Sequence, residues 1–275
     1  GKLTINAKED INLDGPTDVS TCGGAFNANA DSDGDGKGDF NQTNVLSAVN
    51  TGGGDLTVTG DKVDMEGTLK SGTGKFNITA TGGFLNSAGT LETDGVDINL
   101  KAVNGIKLDG PGAIRTNGGD FNADANTNND NSGGFDQSDA GHIINTAGGK
   151  ADIRGRDANL SGTLKSEGGK VDINATRGTA SIGKLVETGG ADFDLKGATG
   201  IQLTNSEIRT EGGFFRADAN SDADNDGDFN QAGDASLINT AGGELTITGR
   251  SVGIKGTLQS GAGEMLLTAT FGAVT

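Results

Sequence analysis

The sequence predicts an all-β fold, a parallel β-helix in which about twelve coils stack on one another. Residues 1–95, 96–190 and 191–275 repeat one another, and the last unit is incomplete. Within each unit a shorter pattern of roughly twenty to thirty residues recurs four times. Apolar residues alternate with polar ones inside this pattern, and no segment has helical periodicity. Each coil is therefore expected to consist of short strands joined by turns.

The long repeat is clearest at two motifs. Gly-Gly-Ala-Phe at residues 23–26 returns as Gly-Gly-Asp-Phe at 118–121 and Gly-Gly-Phe-Phe at 212–215. Thr-Leu-Lys-Ser at residues 68–71 returns at 163–166, and as Thr-Leu-Gln-Ser at 257–260. Self-similarity at a fixed period is the signature of a solenoid, in which each repeat packs only on its neighbours. Residues 1–275 are accordingly one solenoid domain of three units with four coils each.

The first strand of each coil is marked by two apolar residues on alternate positions. This spacing turns both side chains to one face of a strand, which we expect to line the core. The twelve pairs are Leu3/Ile5, Phe26/Ala28, Leu56/Val58, Phe76/Ile78, Ile98/Leu100, Phe121/Ala123, Ala151/Ile153, Val171/Ile173, Phe193/Leu195, Phe215/Ala217, Leu245/Ile247 and Met265/Leu267.

A second and a third strand follow in most coils. A second apolar pair such as Ile11 and Leu13 comes next, and then a single apolar residue such as Val19 or Leu69. Gly, Asn, Asp and Ser separate these segments, and these residues form turns readily. Three strands per coil, stacked at the ~4.8 Å spacing of a sheet, give a rod on the order of 55–60 Å long.

The amino-acid composition limits the classes of partner that the chain can bind. The chain has a net charge of −17, and 32% of its residues are apolar. Its acidity disfavours nucleic acid and anionic membrane surfaces, and no apolar run is long enough for membrane insertion. Residue 1 already lies inside a repeat, so we expect a segment of a longer chain or a processed product. Its open sheet edges should stack end to end on further repeats or on another copy.

An acidic loop in the second coil of each unit is the candidate metal site. Carboxylates on alternate residues followed by Gly can surround Ca²⁺, which takes six to eight oxygen ligands. These loops resemble the Asp-x-Asp-x-Asp-Gly calcium loops of EF-hands, dockerins and thrombospondin-type repeats. The resemblance covers about a dozen residues per loop, with Gln42 where an EF-hand has a bidentate Glu, so modest affinity is expected. The candidate ligands are Asp31, Asp33, Asp35 and Asp39 in the first loop, Asn126, Asn128 and Asp130 in the second, and Asp222, Asp224, Asp226 and Asp228 in the third.

The second loop differs from the other two because it keeps one carboxylate among the aligned positions. It either binds poorly or relies on amide and backbone oxygens, and a solvated acidic loop is the alternative for all three. Each loop ends in Phe-(Asn/Asp)-Gln, and we expect Phe40, Phe135 and Phe229 to anchor the loops to the core.

Four other features stand out: a lone cysteine, a lone histidine, a set of turn threonines and the outward Thr-x-Thr pairs. Cys22 precedes a Gly-Gly turn and is expected to be exposed, either incidentally or as an intermolecular disulfide contact. His142 corresponds to Ser47 and Ser236, which indicates a solvated position. Thr51, Thr146 and Thr240 are expected to satisfy backbone groups in turns. Outward Thr-x-Thr pairs would form an ice-binding face only if they continued from coil to coil without interruption. In this chain other residues interrupt the series.

The repeats resemble those of filamentous haemagglutinin-type bacterial exoproteins. The motif Leu-Thr-Val-Thr-Gly at residues 56–60, followed by Gly-Thr-Leu-Lys-Ser-Gly at 67–72 and seen again at 151–162 and 245–261, carries this likeness. The resemblance implies a right-handed β-helix in a secreted or surface-tethered adhesive fibre, located outside the cell or at its surface. A host or matrix surface is then a further candidate partner.

Three classes of function follow. The favoured one is a non-enzymatic structural or adhesive fibre segment stiffened by calcium. A self-assembling filament subunit, stacked head to tail, is the alternative. A β-helical enzyme that degrades polysaccharides is the remote third class, because it would need an asymmetric groove with paired acids, whereas these carboxylates repeat in step.

Overall fold

The chain forms a β-solenoid without any helix. The computed structural model describes residues 1–275, which fold into three parallel sheets of 12, 11 and 11 strands. Each strand pairs with its counterparts one coil before and one coil after. The predicted fold class is confirmed, including three strands per coil and about twelve coils. No helix is present that could cross a membrane.

The strands alternate among the sheets in chain order. Sheet 1 consists of Leu3–Asn6, Phe26–Asn29, Leu56–Gly60, Phe76–Ala80, Ile98–Ala102, Phe121–Asp124, Ala151–Gly155, Val171–Ala175, Phe193–Gly197, Phe215–Asp218, Leu245–Gly249 and Met265–Ala269. Sheet 2 consists of Ile11–Asn12, Phe40–Gln42, Val63–Met65, Leu85–Ser87, Gly105–Leu108, Gly134–Gln137, Ala158–Leu160, Thr179–Ile182, Gly200–Leu203, Asp228–Gln231 and Val252–Ile254. Sheet 3 consists of Asp18–Ser20, Ala48–Asn50, Thr68–Gly72, Thr90–Thr93, Ala113–Arg115, Ile143–Asn145, Thr163–Lys165, Leu185–Glu187, Glu207–Arg209, Leu237–Asn239 and Thr257–Gln259.

The core is a set of apolar columns that run along the rod. Phe76 pairs with Leu56 in the preceding coil and with Ile98 in the following one, and all three are fully buried. The outward Asn77 and Thr79 remain partly exposed. One continuous cluster of 52 buried residues results. Burying each large side chain contributes about 1.5–3 kcal/mol, so the columns dominate the stability of the stack.

A glycine column marks the turn between sheets 3 and 1, where successive backbones approach most closely. A Cβ at Gly149 would lie 1.9 Å from the carbonyl oxygen of Gly119, and one at Gly169 would lie 1.8 Å from that of Gly149. No side chain fits there. Much of the unusual glycine content, 50 residues in all, therefore has a steric cause.

Buried hydroxyl groups accompany this glycine column. The Thr51 Oγ1 hydroxyl donates to the carbonyl oxygen of Gly54 and reaches that of Ser71 in the next coil at 2.9 Å. Thr146 and Thr240 donate to the glycine three residues later in the same way, each at 2.5 Å. The prediction that these threonines satisfy backbone groups is confirmed.

The second coil of each unit is longer than the rest. Equivalent residues in neighbouring coils are 20 to 23 positions apart elsewhere, but 28 to 30 apart across these coils. The additional residues form the loop that joins sheet 1 to sheet 2.

The prediction that His142 is solvated is wrong. His142 shares its corner position with Ser47 and Ser236. All three are buried, His142 completely. The corner that carries His142 folds inward because Gly162 in the next coil has no side chain to fill the space. A Cβ at Gly162 would lie 2.5 Å from the Gln137 side-chain nitrogen. The Gln137 Nε2 donates to the His142 carbonyl oxygen at 3.1 Å.

Burial lowers the pKa of His142 to about 4, although Asp139 and Asp109 act in the opposite direction. Its Nε2 atom has no hydrogen-bond partner. The folded chain therefore keeps this imidazole neutral down to about pH 4, whereas an unfolded chain protonates it below about pH 6.5. Falling pH through this window binds a proton to the unfolded state first, so stability is lost between pH 6.5 and 4.

His142→Ser, which installs the residue found in the other two units, should reduce this acid sensitivity. Between pH 7 and pH 4 the wild type should lose about 3 kcal/mol more unfolding free energy than the variant. Chemical denaturation at a series of pH values measures the difference. Parallel pH profiles for the two proteins would show that His142 does not carry the effect.

Candidate metal-binding loops

All three acidic loops leave the rod at one corner, after a strand of sheet 1 and before a strand of sheet 2. They are the first loop (residues 31–40), the second (126–135) and the third (220–229). The phenylalanines that end them, Phe40, Phe135 and Phe229, are all buried in the core. Their predicted role as anchors is confirmed.

Backbone hydrogen bonds fix the base of each loop on both sides. In the first loop, Ser32 N donates to Ala7 O in the preceding coil at 2.9 Å. Asp61 N, in the following coil, donates to Gly38 O at 2.7 Å. The other two loops make equivalent bonds, Thr127 to Ala102, Arg156 to Gly133, Ser221 to Gly197 and Arg250 to Gly227. The loops are thus held in register with the stack, and their tips project into solvent.

The first and third loops each gather three carboxylates. One oxygen atom from each of Asp31, Asp33 and Asp35 lies within 4.8 Å of the others, and so does one from each of Asp222, Asp224 and Asp226. The second group is shifted by two residues, because its members align with Asp33, Asp35 and Lys37 of the first loop. We call these groups the first and third triads. Three oxygens at such separations can contact one cation of the size of Ca²⁺, with backbone carbonyls and water supplying the remaining ligands.

The first triad is only partly neutralised by the chain itself. Lys37 pairs with Asp35 at 2.8 Å, and Lys8 lies 3.9 Å from Asp33. Asp31 accepts a bond from Gly36 N through Oδ2, while its Oδ1 is buried without a partner. Asp61, which sequence reasoning missed, adds a further carboxylate beside this loop; burial and then Asp39 raise its pKa. An unsatisfied oxygen in an excess of negative charge favours a cation here.

The third triad shows the strain of clustered carboxylates directly. A hydrogen bond with the Asp224 carboxyl group raises the pKa of Asp226, and the charges of Asp224 and Asp222 act in the same direction. A cation bound between these carboxylates would relieve their mutual repulsion. The crowded negative charge therefore favours a cation in the third loop as well.

Asp39 and Asp228 lie outside the triads and bind the following coil. Asp39 Oδ1 accepts from Lys62 N at 3.0 Å. Asp228 accepts from Arg250 Nε and Nη2 at 3.0 and 2.8 Å, and this pair lowers the pKa of Asp228. The structure therefore places these two candidate ligands where they hold the end of each loop.

The second loop holds no triad, because its polar side chains bond to one another. The Asp130 carboxylate accepts from Ser132 N, Ser132 Oγ and Asn128 Nδ2 at 2.7, 2.6 and 2.8 Å. The bonds from Ser132 are the largest cause of a lowered pKa of Asp130. Asn126 Nδ2 donates to the Asp130 carbonyl oxygen at 2.9 Å. The candidate ligands of this loop are thus largely occupied within the loop.

Two arginines brace the second loop from later coils. Arg177 donates to Asn131 Oδ1 at 3.2 Å and to Asn129 O at 3.1 Å, and Arg154 donates to Asn129 Oδ1 at 3.2 Å. The positions equivalent to Arg177 are Gly82 and Phe271, and those equivalent to Arg154 are Thr59 and Thr248. At these two positions a guanidinium group therefore occurs only in the unit whose loop keeps a single carboxylate among the aligned positions. Sequence reasoning missed this exchange, although aligning the three units displays it.

Cys22 is exposed, as predicted. It occupies a left-handed backbone position with φ of 50°, as do Asn117 and Glu211 in the other units. It is the only cysteine in the chain, so a disulfide here would join two molecules. That intermolecular contact stays a prediction.

Comparison of the chain with protein-family models, curated proteins and solved structures finds no match.

Arg177→Ala should loosen the second loop alone. Removing the guanidinium deletes two hydrogen bonds that reach this loop from two coils away, so proteolysis should increase within residues 126–135, and calcium should not restore protection. Limited proteolysis followed by mass spectrometry locates the cuts. Arg115→Ala, an arginine substitution on sheet 3, is the control, and equal cleavage in both variants would contradict the bracing role.

Proposed function

We propose that this chain is a structural and adhesive segment of an extracellular or cell-surface bacterial fibre, stiffened by calcium in its first and third loops. The observation that carries the proposal is the pair of aspartate triads, which recur at one corner of a rod-shaped stack. Two acidic loops at one corner of the rod suit a mechanical role, since each loop is bonded to the coils before and after it.

Calcium fits these loops better than magnesium. Ca²⁺ accepts irregular shells of six to eight oxygens, whereas Mg²⁺ requires near-ideal octahedral geometry and keeps several waters. Five of the six triad aspartates are exposed, and the triads supply carboxylates from alternate residues of the loops. Such sites bind in the range of about 10⁻⁴–10⁻³ M typical of extracellular modules, which favours a location outside the cell.

The regularity of the surface supports a fibre role over an enzymatic one. Polar side chains form ladders along the rod, such as Asn77, Asn99 and Asn122, whose amides bond in succession at 3.1 and 3.0 Å. The chain makes 178 backbone–backbone hydrogen bonds. Within the sheets, the paired strands belong to successive coils, so these bonds join one coil to the next. A rod bonded along its length resists bending and pulling, as a fibre segment must.

Calcium should raise the melting temperature and protect the first and third loops. When the free calcium concentration is a hundred times the dissociation constant, binding at one site adds about 2.7 kcal/mol to the unfolding free energy. In EDTA, residues 29–42 and 218–231 should become protease-sensitive, while the second loop should not change. Calorimetry and limited proteolysis with calcium, magnesium or EDTA provide the measurements.

Paired variants make this test specific to each site. Asp33→Asn with Asp35→Asn should abolish calcium protection in the first loop only, and Asp224→Asn with Asp226→Asn should do so in the third only. Each double variant thus serves as the control for the other. Identical melting and cleavage with and without calcium would overturn the metal-binding proposal.

End-to-end stacking into filaments is the second candidate function. Leu3 and Ile5 in the first coil are only partly buried, and Met265 in the last coil is 40% exposed. The inner columns are thus uncovered at both ends, next to open sheet edges. Contact between one end and the other is heterologous, and such contacts propagate into filaments.

Met265→Lys should block this stacking, because a charge on an inward-facing edge position opposes strand addition. The wild type should form rods that lengthen with protein concentration, whereas the variant should remain monomeric. Light scattering and electron microscopy measure both. Val45→Lys, at an exposed apolar residue in a lateral turn, is the control. A wild type that stays monomeric, or a variant that stacks equally well, would exclude this mode of assembly.

A further inference from the structure

One trough interrupts the regular outer surface of sheet 2. Its floor is formed by Gly105 and Gly134, which are paired in neighbouring strands. Phe84 stands at one end and Asp157 at the other, and the cavity volume is about 380 Å³. Two successive glycines remove the side chains that would otherwise fill this space.

The register of sheet 2 determines the length of the trough. Leu85 pairs with Ile106, which places Phe84 beside Gly105, and Phe135 pairs with Ala158, which places Gly134 beside Asp157. Phe84 and Asp157 are therefore three coil steps apart, about 14 Å. This length accommodates one or two sugar rings.

Phe84 is 50% exposed, and its ring packs over Gly105. A Cβ at Gly105 would lie 3.2 Å from the ring, and this glycine has φ of 135°, so the floor and the aromatic end depend on each other. Thr179 and Ala273 occupy the positions equivalent to Phe84 in the other units. The trough therefore occurs once in the rod.

Oriented polar groups line one side of the trough. The Asp136 carboxylate accepts from Asn159 Nδ2 at 2.7 Å, and Lys107 pairs with Asp109 at 2.9 Å. At the end of the trough, Asp157 accepts from Thr179 N at 3.0 Å and pairs with Arg156. Most of these charges are compensated by neighbours, while carboxylate, amide and ammonium groups keep free acceptor and donor positions.

We propose that this trough binds a neutral pyranose sugar. The C–H face of a pyranose ring is apolar and positively polarised, so it stacks on the negative face of the Phe84 ring. Its hydroxyl groups both donate and accept, as do the groups of Asp136, Asn159 and Lys107 taken together. An aromatic surface beside a few convergent polar groups is the usual composition of a small-ligand site.

Phe214 shows why exposure of an aromatic ring is not sufficient for sugar binding. It is 38% exposed, but the Arg216 guanidinium lies over its ring at 5.1 Å. That cation–π contact occupies the face that a sugar would need. Ala25 stands at the equivalent position in the first unit. Phe214 is therefore a matched control for Phe84.

The inference rests on the adhesive part of the proposed function and not on calcium. It is tested by saturation-transfer NMR with the wild-type chain and four probes at millimolar concentration: methyl β-glucoside, methyl β-galactoside, methyl α-mannoside and the open-chain polyol sorbitol. At least one pyranoside should receive saturation at its ring C–H protons, and sorbitol should receive none.

Two variants assign the signal to the trough. Phe84→Ala, which installs the residue of the third unit, should reduce the transferred signal at least fivefold. Gly134→Val should do the same by filling the floor, since a Cβ there meets only Asp157, no closer than 3.5 Å. Phe214→Ala should leave the signal unchanged.

Absence of transfer to all three pyranosides overturns the proposal, and so does a signal that survives both Phe84→Ala and Gly134→Val. Equal transfer to sorbitol also overturns it, because stacking would then contribute nothing. Circular dichroism confirms that each variant is folded. The calcium melting experiment is independent, so a failure here is distinguishable from a failure of the metal-binding proposal.

Discussion

The spacing between coils is the constraint on which the rest of the structure depends. Strands of neighbouring coils lie about 4.8 Å apart, so every residue must fit beneath its own counterpart. At the Gly119–Gly149 contact this leaves no space even for a Cβ. Along the inside the same constraint aligns apolar side chains into continuous columns. Variation is therefore confined to the outer faces and to corners where extra residues leave the stack.

The three loops lie at such a corner, and they deal with their crowded polar groups in two different ways. Additional polar chain must be held close to the rod, and polar side chains held close together must be neutralised or bonded. In the second loop the chain supplies its own guanidinium through Arg177. In the first and third loops the clustered carboxylates leave negative charge that the chain does not neutralise, and we propose that a small divalent cation does so.

Periodicity predicted the fold because a repeated constraint leaves a repeated pattern. The alternation at Phe76 and Ile78 and the anchor Phe40 could be identified from spacing alone, and so could the Asp31, Asp33 and Asp35 triad. The burial of His142 could not, since it depends on space left by Gly162 one coil later. The trough depends likewise on Gly105 and Gly134, which become neighbours only when sheet 2 is in register.

Differences among the units are informative because the units share one backbone. Thr179 and Ala273 show that the stack accommodates a small side chain at the position of Phe84, so packing of the rod does not require an aromatic residue there. A half-exposed phenylalanine leaves apolar surface in water at a cost of about 25 cal/mol per Å². Packing over Gly105 covers only half of this side chain, and a ligand that covered the rest would recover this free energy. We therefore infer that the proposed sugar site belongs to a position where the repeats diverge, in contrast to the acidic loops, which recur.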